Sequence, residues 1–347
     1  MLDHGAVIGK FDPPHLGHTL LINRAAASCA RVTVIVCHRS TDWLPGELRE
    51  AWLRELHPGV EVMLIDDTYP DDDSQLWADN TVRWLGHAPD AVFTSESYGD
   101  PWAAALGCRH VLVDRQRSAV PISATVIRAD PFAHWEFLSP PVRAHLTLRV
   151  VVLGAESTGT TTLAQALARH YDTAWVPEYG REYSETKLAA GFDVSWATAE
   201  FVTIASEQAT REDALARQAN RVLICDTDPF ATGIWHERYM GSRSAGVEAV
   251  AAGRRIDLHI LTAPDIPFVQ DGLRDGERHR EWMHSRFAEA LRERGGEWLE
   301  VSGTHEARMT RSTAAIDRLL AWRPRIPPPR WRAPAIRGRG SPPVSAG

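Results

Sequence analysis

Twice along this chain an apolar run of strand length breaks into a glycine-containing loop and then into a helix-periodic stretch, once from Gly5 and again from Arg149. A strand that turns into a helix through glycine is the starting unit of a parallel α/β sheet, so the repetition calls for two such sheets. The length of 347 residues suits two domains, taking roughly 100 to 200 residues for each.

The first start reads as a strand over Gly5–Gly9, a Pro/Gly/His loop and a helix over Leu16–Ala27. Strands at Val32–Cys37, Glu61–Ile65, Ala91–Thr94 and His110–Val113 follow, with helices at Gly46–Leu56 and Leu76–Leu85 between them. The second start has a strand over Arg149–Leu153 and a helix over Thr161–His170. Helical patterns between Trp196 and Gln218, strands at Val222–Cys225 and Leu258–Thr262, and a last helix at Thr310–Trp322 continue it. The expected boundary falls near residues 140–148, after Pro140 and Pro141. The expected domains are therefore 1–145 and 148–322, and the Pro/Arg/Gly-rich segment 323–347 lacks periodicity and reads as disordered.

A net charge of −7 excludes a general nucleic-acid binder, so an anionic ligand must be held locally. Cys29, Cys37, Cys108 and Cys225 form no CxxC pair, which argues against a zinc site or a disulfide framework. With no export signal and no apolar run of membrane-spanning length, the expected location is the cytoplasm. Only Lys10 and Lys187 are lysines against 36 arginines, a compositional bias under which Arg is the expected replacement for a missing Lys.

In the first loop, Gly9-Lys10-Phe11-Asp12-Pro13-Pro14-His15-Leu16-Gly17-His18 lies where a strand meets a helix, the usual ligand crevice of an open α/β sheet. His15 and His18 are three apart and share a helix face near an N-terminus that attracts phosphate. Gly17 has no side chain to collide with a nucleotide. Taken alone, the segment reads equally as a proline turn with two surface histidines. Downstream, Ile122-Ser123-Ala124-Thr125-Val126-Ile127-Arg128 places hydroxyls at a helix start and an Arg one turn on, suited to a triphosphate. By itself it is an ordinary capped helix.

Together the two segments resemble the paired signatures GxFxPxHxGH and ISxTxIR of the HxGH nucleotidyltransferases. The GKF variant, Asp42-Trp43-Leu44-Pro45 and the second nucleotide-binding unit narrow the resemblance to NadR-type bifunctional enzymes, over roughly residues 5–322. The resemblance implies an HxGH Rossmann-like parallel-sheet domain followed by a P-loop kinase-like α/β domain. It implies nicotinamide mononucleotide adenylyltransferase activity joined to ribosylnicotinamide kinase activity. The ligands would be ATP, nicotinamide mononucleotide, nicotinamide riboside and NAD, with Mg²⁺ as cofactor. His18 would contact the α-phosphate and His15 the adjoining phosphates. Arg128, Ser123 and Thr125 would hold the leaving pyrophosphate, and Lys10 would add a further cation, with Gly9, Phe11 and Gly17 beside the nucleotide. The stretch Thr94–Trp102 matches in position the loop that recognises the nicotinamide ring, where Trp102 either stacks on that ring or belongs to the core. The sequence begins without the helix-turn-helix domain that some members carry, so the resemblance implies no DNA binding. A homo-oligomer stays open.

The second loop, Gly154-Ala155-Glu156-Ser157-Thr158-Gly159-Thr160-Thr161-Thr162, has the strand–loop–helix context of a P-loop but carries Thr160 where GxxxxGK[ST] has Lys. The backbone can still cradle phosphate, and Thr161 can still reach Mg²⁺. The point charge on the β- and γ-phosphates is lost. Asp226, in Leu223-Ile224-Cys225-Asp226-Thr227-Asp228, an apolar strand ending in carboxylates, is the expected partner of Mg²⁺ or of the attacking hydroxyl. Glu178, in Pro177-Glu178-Tyr179-Gly180-Arg181-Glu182, is the candidate acceptor of the ribose 5′-hydroxyl proton. The charged run 271–280 reads either as a solvated loop or as a lid whose Arg274, Arg278 and Arg280 replace the missing charge. Two other readings stand beside the kinase: a non-catalytic nucleotide sensor in the second domain, and another phosphorylated acceptor, such as phosphopantetheine or a flavin, for the first.

Overall fold

The computed structural model describes residues 1–189, 195–269 and 279–321. The chain divides into two compact units, Met1–Val142 and a second beginning at Arg143. Arg274 and Arg278 of the charged run, and the segment 323–347, lie outside the described residues.

In the first unit, β1 (Leu2–Gly9), β2 (Cys29–His38), β3 (Glu61–Asp66), β4 (Ala91–Thr94) and β5 (Arg109–Leu112) form one parallel sheet in the order β3-β2-β1-β4-β5. The interior strands are runs of Val, Ile and Ala because helices cover both faces, as a parallel sheet requires. Phe11, Leu21, Ile22 and Phe93 pack on one face and Ile35, Val92, Trp102 and Leu106 on the other. Helix α1 (Leu16–Ser28) covers the first face, whereas α3 (Ser74–Leu85) and α4 (Gly99–Leu106) supply Ala78, Trp102 and Ala103 to the second. Strand order reverses between β1 and β4, which opens a crevice beyond their carboxyl ends. Helix α2 (Gly46–Leu56) has the bounds expected from its periodicity, and the short α5 (Ala124–Ala129) carries Arg128.

The second unit repeats the plan. Strands β6 (Leu148–Gly154), β7 (Trp175–Val176), β8 (Val222–Asp226), β9 (Leu258–Thr262) and β10 (Trp298–Val301) pair in parallel in the order β10-β9-β6-β8-β7. Helix α6 (Pro140–Leu146) precedes them and α7 (Thr160–His170) follows β6. Then come α8 (Tyr179–Ala189), α9 (Thr198–Ala216), α10 (Pro229–Met240), α11 (Ala245–Ala252), α12 (Arg280–Arg294) and α13 (His305–Ala321). The expected last helix begins at His305, five residues before Thr310. No described helix is long and apolar enough to cross a membrane, and all four cysteines are free.

Candidate active sites

The first loop leaves β1 through Phe11, whose φ of 50° reverses the chain. Both oxygens of buried Asp12 accept backbone N–H groups, from Trp43 at 2.9 Å and Leu44 at 3.0 Å, and so lash the loop to the segment before α2. Behind it Arg49 has no exposed side chain. It bridges the Lys10 carbonyl, the Cys37 carbonyl at 3.1 Å and the Asp42 carboxylate at 2.8 Å. A buried guanidinium survives only where acceptors surround it, and here they fix the loop's backbone. Arg49 is a structural member that the motifs do not reveal, and its partner Asp42 belongs to the Asp42-Trp43-Leu44-Pro45 segment.

His15 caps α1: its Nδ1 accepts the Gly17 N–H at 3.0 Å. The acceptor role at Nδ1 leaves the proton of a neutral ring on Nε2, ready to donate to a ligand. Burial, with the Arg117 charge, pushes the His15 imidazole down to about 4. The His18 ring stacks on it with centroids 3.8 Å apart, and burial holds His18 well below the ordinary range, with His15 and Arg117 adding to that. Both rings are therefore neutral donors at pH 7. Phe11 is buried and meets His18 edge-on at 4.8 Å, supporting the ring from behind. A Cβ at Gly17 would fall 2.9 Å from His15 Cε1, so the glycine is demanded by the capping ring itself.

The distant second motif arrives at this point. Ser123 caps α5 through the Val126 N–H, and the Arg128 guanidinium donates to the Asp12 carbonyl and, at 3.2 Å, to Thr125 Oγ1. Two lobes meet around His18, Ser95 and Glu96. One, of about 520 Å³, is lined by Gly9, Lys10, Phe11, Arg128, Trp77 and Trp102; the other, of about 250 Å³, by His15, Gly17, Arg117, Ser123 and Thr125. The residues expected at the first site thus converge on one crevice. Trp102 combines features of its two readings, buried in the core and yet on the lobe wall. It is 3% exposed and donates its indole N–H to Thr81 Oγ1 at 3.3 Å, while Trp77 is a second indole on the lobe wall. Arg117 also escaped the sequence reading, because it sits in the irregular loop gathered by Asp114, with no periodicity to mark it.

In the second unit the loop between β6 and α7 turns through Ser157 (φ 58°) and Gly159 (φ 81°). Gly154 is required by crowding: a Cβ there would lie 2.2 Å from Thr262 Oγ1 and 2.7 Å from Thr158 Oγ1. Thr158 is buried and bonds the Ala155 carbonyl and Thr262, each at 2.7 Å, so its side chain serves the loop and not the cavity. A cavity of about 230 Å³ brings together Gly154, Glu156, Ser157, Gly159, Thr160, Thr161, Thr162, Glu178, Arg181 and Asp226. Asp226 is 2% exposed. Burial pushes its carboxyl up to about 6, against hydrogen bonds from Thr161 and Thr160 and the charge of Arg181. Thr160 thus turns a hydroxyl toward Asp226 from the position where the motif has Lys. A carboxylate beside two hydroxyls is an all-oxygen donor set that suits a hard divalent cation, with Thr161 and Asp226 as the protein ligands.

Among the described arginines, Arg280 donates to the Ser157 carbonyl at 2.8 Å and Arg238 pairs with Glu156 at 3.2 Å. Arg308 is enclosed by the Thr158, Gly303 and Ala263 carbonyls and the Asp265 carboxylate. Trp196, Trp235 and Tyr239 form an aromatic wall on the same cavity; motif reading missed them because they come from the approach to α9 and from α10.

A family model described as cytidylyltransferase-like matches residues 6–130, and an AAA domain model matches residues 149–308. The chain is 30% identical over 324 residues to the "Trifunctional NAD biosynthesis/regulator protein NadR" of Escherichia coli (strain K12), covering 86% of this chain and 78% of that protein. It is 28% identical over 344 residues to the Salmonella typhimurium protein of the same name, covering 91% and 83%. Two crystal structures of NadR, one in complex with NR and one with NAD and AMP-PNP, share the fold. Their TM-scores are 0.75 and 0.72 at 23% and 22% identity, each covering 92% of this chain and 97% of the other. With two curated relatives matched over most of their length, this chain belongs to the NadR family.

Proposed function

We propose that the first unit transfers the adenylyl group of ATP to nicotinamide mononucleotide, giving NAD and pyrophosphate, and that the second phosphorylates nicotinamide riboside. One observation carries the first half: two motifs more than a hundred residues apart meet where Arg128 grips the Asp12 carbonyl beside the stacked neutral His15 and His18. A mononucleotide phosphate oxygen attacks the α-phosphorus, the bond to the bridging oxygen breaks, and pyrophosphate leaves. No protein nucleophile takes part. Catalysis rests on positioning and on donors aimed at the developing charge. His18 and His15 donate through neutral rings, Arg128 and Lys10 supply positive charge, and Ser123 and Thr125 hold the leaving group.

In the second unit the riboside 5′-hydroxyl attacks the γ-phosphorus, ADP leaves, and a carboxylate takes the hydroxyl proton. Glu178, which lines the cavity beside Asp226, is the candidate base. Mg²⁺, held by Thr161 and Asp226, would neutralise phosphate charge. The pyridinium of the riboside suits the electron-rich faces of Trp196, Trp235 and Tyr239. We place the enzyme in the cytoplasm. The nucleotide-sensor reading keeps one specific support, Thr160 in the lysine position. Incubating the protein with ATP and Mg²⁺, offering the mononucleotide and the riboside separately and weighing the products, tests both activities. NAD from the mononucleotide supports the first; riboside left unphosphorylated with ATP bound supports the sensor.

A further inference from the structure

The loop between β4 and α4 places Ser95 and Glu96 on both lobes of the first crevice, and on the adenylyl-transfer reading it meets the acceptor. Such a loop needs an anchor, because its tip is exposed and its two ends belong to different elements. One side chain, from neither end, spans them. His110 of β5 places Nε2 2.9 Å from Thr94 Oγ1, the last residue of β4, and Nδ1 2.6 Å from Asp100 Oδ1, in the first turn of α4. Thr94 is fully buried and donates its hydroxyl to the Glu96 carbonyl at 2.8 Å. Imidazole, threonine and Glu96 backbone thus form one chain of hydrogen bonds leading to the loop tip.

Gly99 shows how closely this clamp is packed, since a Cβ there would fall 2.2 Å from His110 Nε2 and 2.5 Å from Thr94 Oγ1. Two further contacts draw the loop over the crevice. Tyr98 donates its hydroxyl to the Ile8 carbonyl at 3.1 Å, at the end of β1, and Glu96 pairs with Arg117 at 3.2 Å. Neither reaches β5; from that side the Thr94 carbonyl accepts the Val113 N–H at 2.8 Å, and His110 supplies the side-chain anchor.

We propose that His110, with Thr94 and Asp100, is a positioning residue that sets the loop between β4 and α4 and so acts on affinity for the mononucleotide more than on affinity for ATP. The inference rests on the adenylyl-transfer reading of this crevice. Removing the ring releases the turn at Thr94–Glu96 while the phosphate-binding residues of the first loop and α5 keep their own anchors.

In the full chain, His110→Ala is expected to raise KM for nicotinamide mononucleotide roughly tenfold, the scale of one or two lost hydrogen bonds in a part-buried site, with kcat and KM for ATP changed less than twofold. His110→Gln, which can still reach Thr94, should recover most of the loss. Asp100→Ala, at a side chain 71% exposed, should raise the same KM about threefold without lowering the melting temperature. Amide hydrogen exchange at residues 95–100 should quicken in His110→Ala with no substrate present. Equal rises in both KM values, or no recovery with Gln, would overturn the clamp. So would unchanged exchange at 95–100. A natural chain that makes no NAD would instead remove the functional reading, and the exchange measurement would still decide the clamp.

Discussion

The two phosphate loops of this molecule are built alike and charged differently. Each leaves a central strand through residues of positive φ, Phe11 in one and Ser157 and Gly159 in the other. Each is gripped by arginines from elsewhere in the sequence that donate to its carbonyls, Arg49 and Arg128 in the first, Arg280 and Arg308 in the second. In the first, Arg128 is exposed and also lines the crevice, and Lys10, though 3.9 Å from Asp42, is 47% exposed, so positive charge faces the crevice. In the second, Arg308 is 3% exposed and surrounded by acceptors, Arg181 lines the cavity but pairs with Glu185 at 3.2 Å, and the motif's lysine position holds Thr160, which turns toward Asp226. Positive charge beside a phosphate loop is therefore not the same as charge offered to a phosphate. A guanidinium already spent on carbonyls and a carboxylate holds the loop in shape and neutralises little beyond it.

The largest effect should come from the better-equipped site. His18→Ala is expected to cut NAD formation on the order of 100- to 1000-fold, the cost of one contact to the charge that develops in the transition state. Riboside phosphorylation in the same preparation should stay unchanged, which serves as an internal control for folding. Full adenylyl transfer in the variant would remove His18 from the chemistry. Arg128→Ala should follow, raising KM for ATP by roughly 10- to 100-fold through loss of charge-assisted bonds, with a smaller change for the mononucleotide. Equal losses for both substrates together with a lowered melting temperature would make Arg128 a scaffold residue like Arg308.

Thr160→Lys tests the poorer site directly. If the lysine position is vacant, the added charge should raise riboside phosphorylation roughly tenfold, about the value of one charge-assisted bond to the transferring phosphoryl group. An unchanged rate would mean that other arginines already supply the charge. Nucleotide binding with no phosphorylation before or after the substitution would leave the second unit a sensor.

How far the sequence reveals all this depends on whether a signal is local. Strands β1, β2, β6, β8 and β9 announce themselves as apolar runs, and the glycine loops mark where helices begin. Helices α10, α11 and α12 escape the reading. Yet α10 carries its own stop and start, with Asp228 as cap accepting the Ala231 N–H, Pro229 in the first turn and Gly241 in the left-handed C-cap. Its buried face includes Pro229, Thr232, Gly233 and His236, which blur the apolar stripe that periodicity looks for. Edge strands β7 and β10 are short and half-buried, so they lack the runs that mark the centre. The motif histidines and Arg128 are found only because the two segments together resemble a known pair of signatures. Arg49, His110 and the aromatic wall are not found, because their roles arise from long-range contacts.

The smallest difference between the units concerns acid. In the first unit, burial holds His4, His15, His18 and His57 below the ordinary imidazole range, with His15 at about 4. The unfolded chain, with pKa near 6.5, binds protons that the folded unit refuses, so the stability these rings contribute is complete above about pH 6.5 and is lost as the pH falls toward 4. In the second unit His145, also at about 4, does the same. Buried carboxyls oppose these rings in both units: burial raises Asp12 in the first, and in the second it raises Glu212 to about 7 and Asp226 to about 6. A carboxyl raised on folding keeps its proton better in the folded state, so its contribution is greatest at low pH and fades as the pH rises, through 6 to 7 for the pair in the second unit. Lowering the pH from 7.5 to 5 should therefore weaken the first unit more than the second. Urea unfolding at both pH values, followed by a brief protease pulse with the surviving fragments identified by mass, separates the units within one chain. The midpoint for fragments from residues 1–142 should drop further than that for fragments from the second unit. Equal drops would mean that the four histidines gain protons without unfolding cost, and the neutral-ring description of His15 and His18 would fail with them.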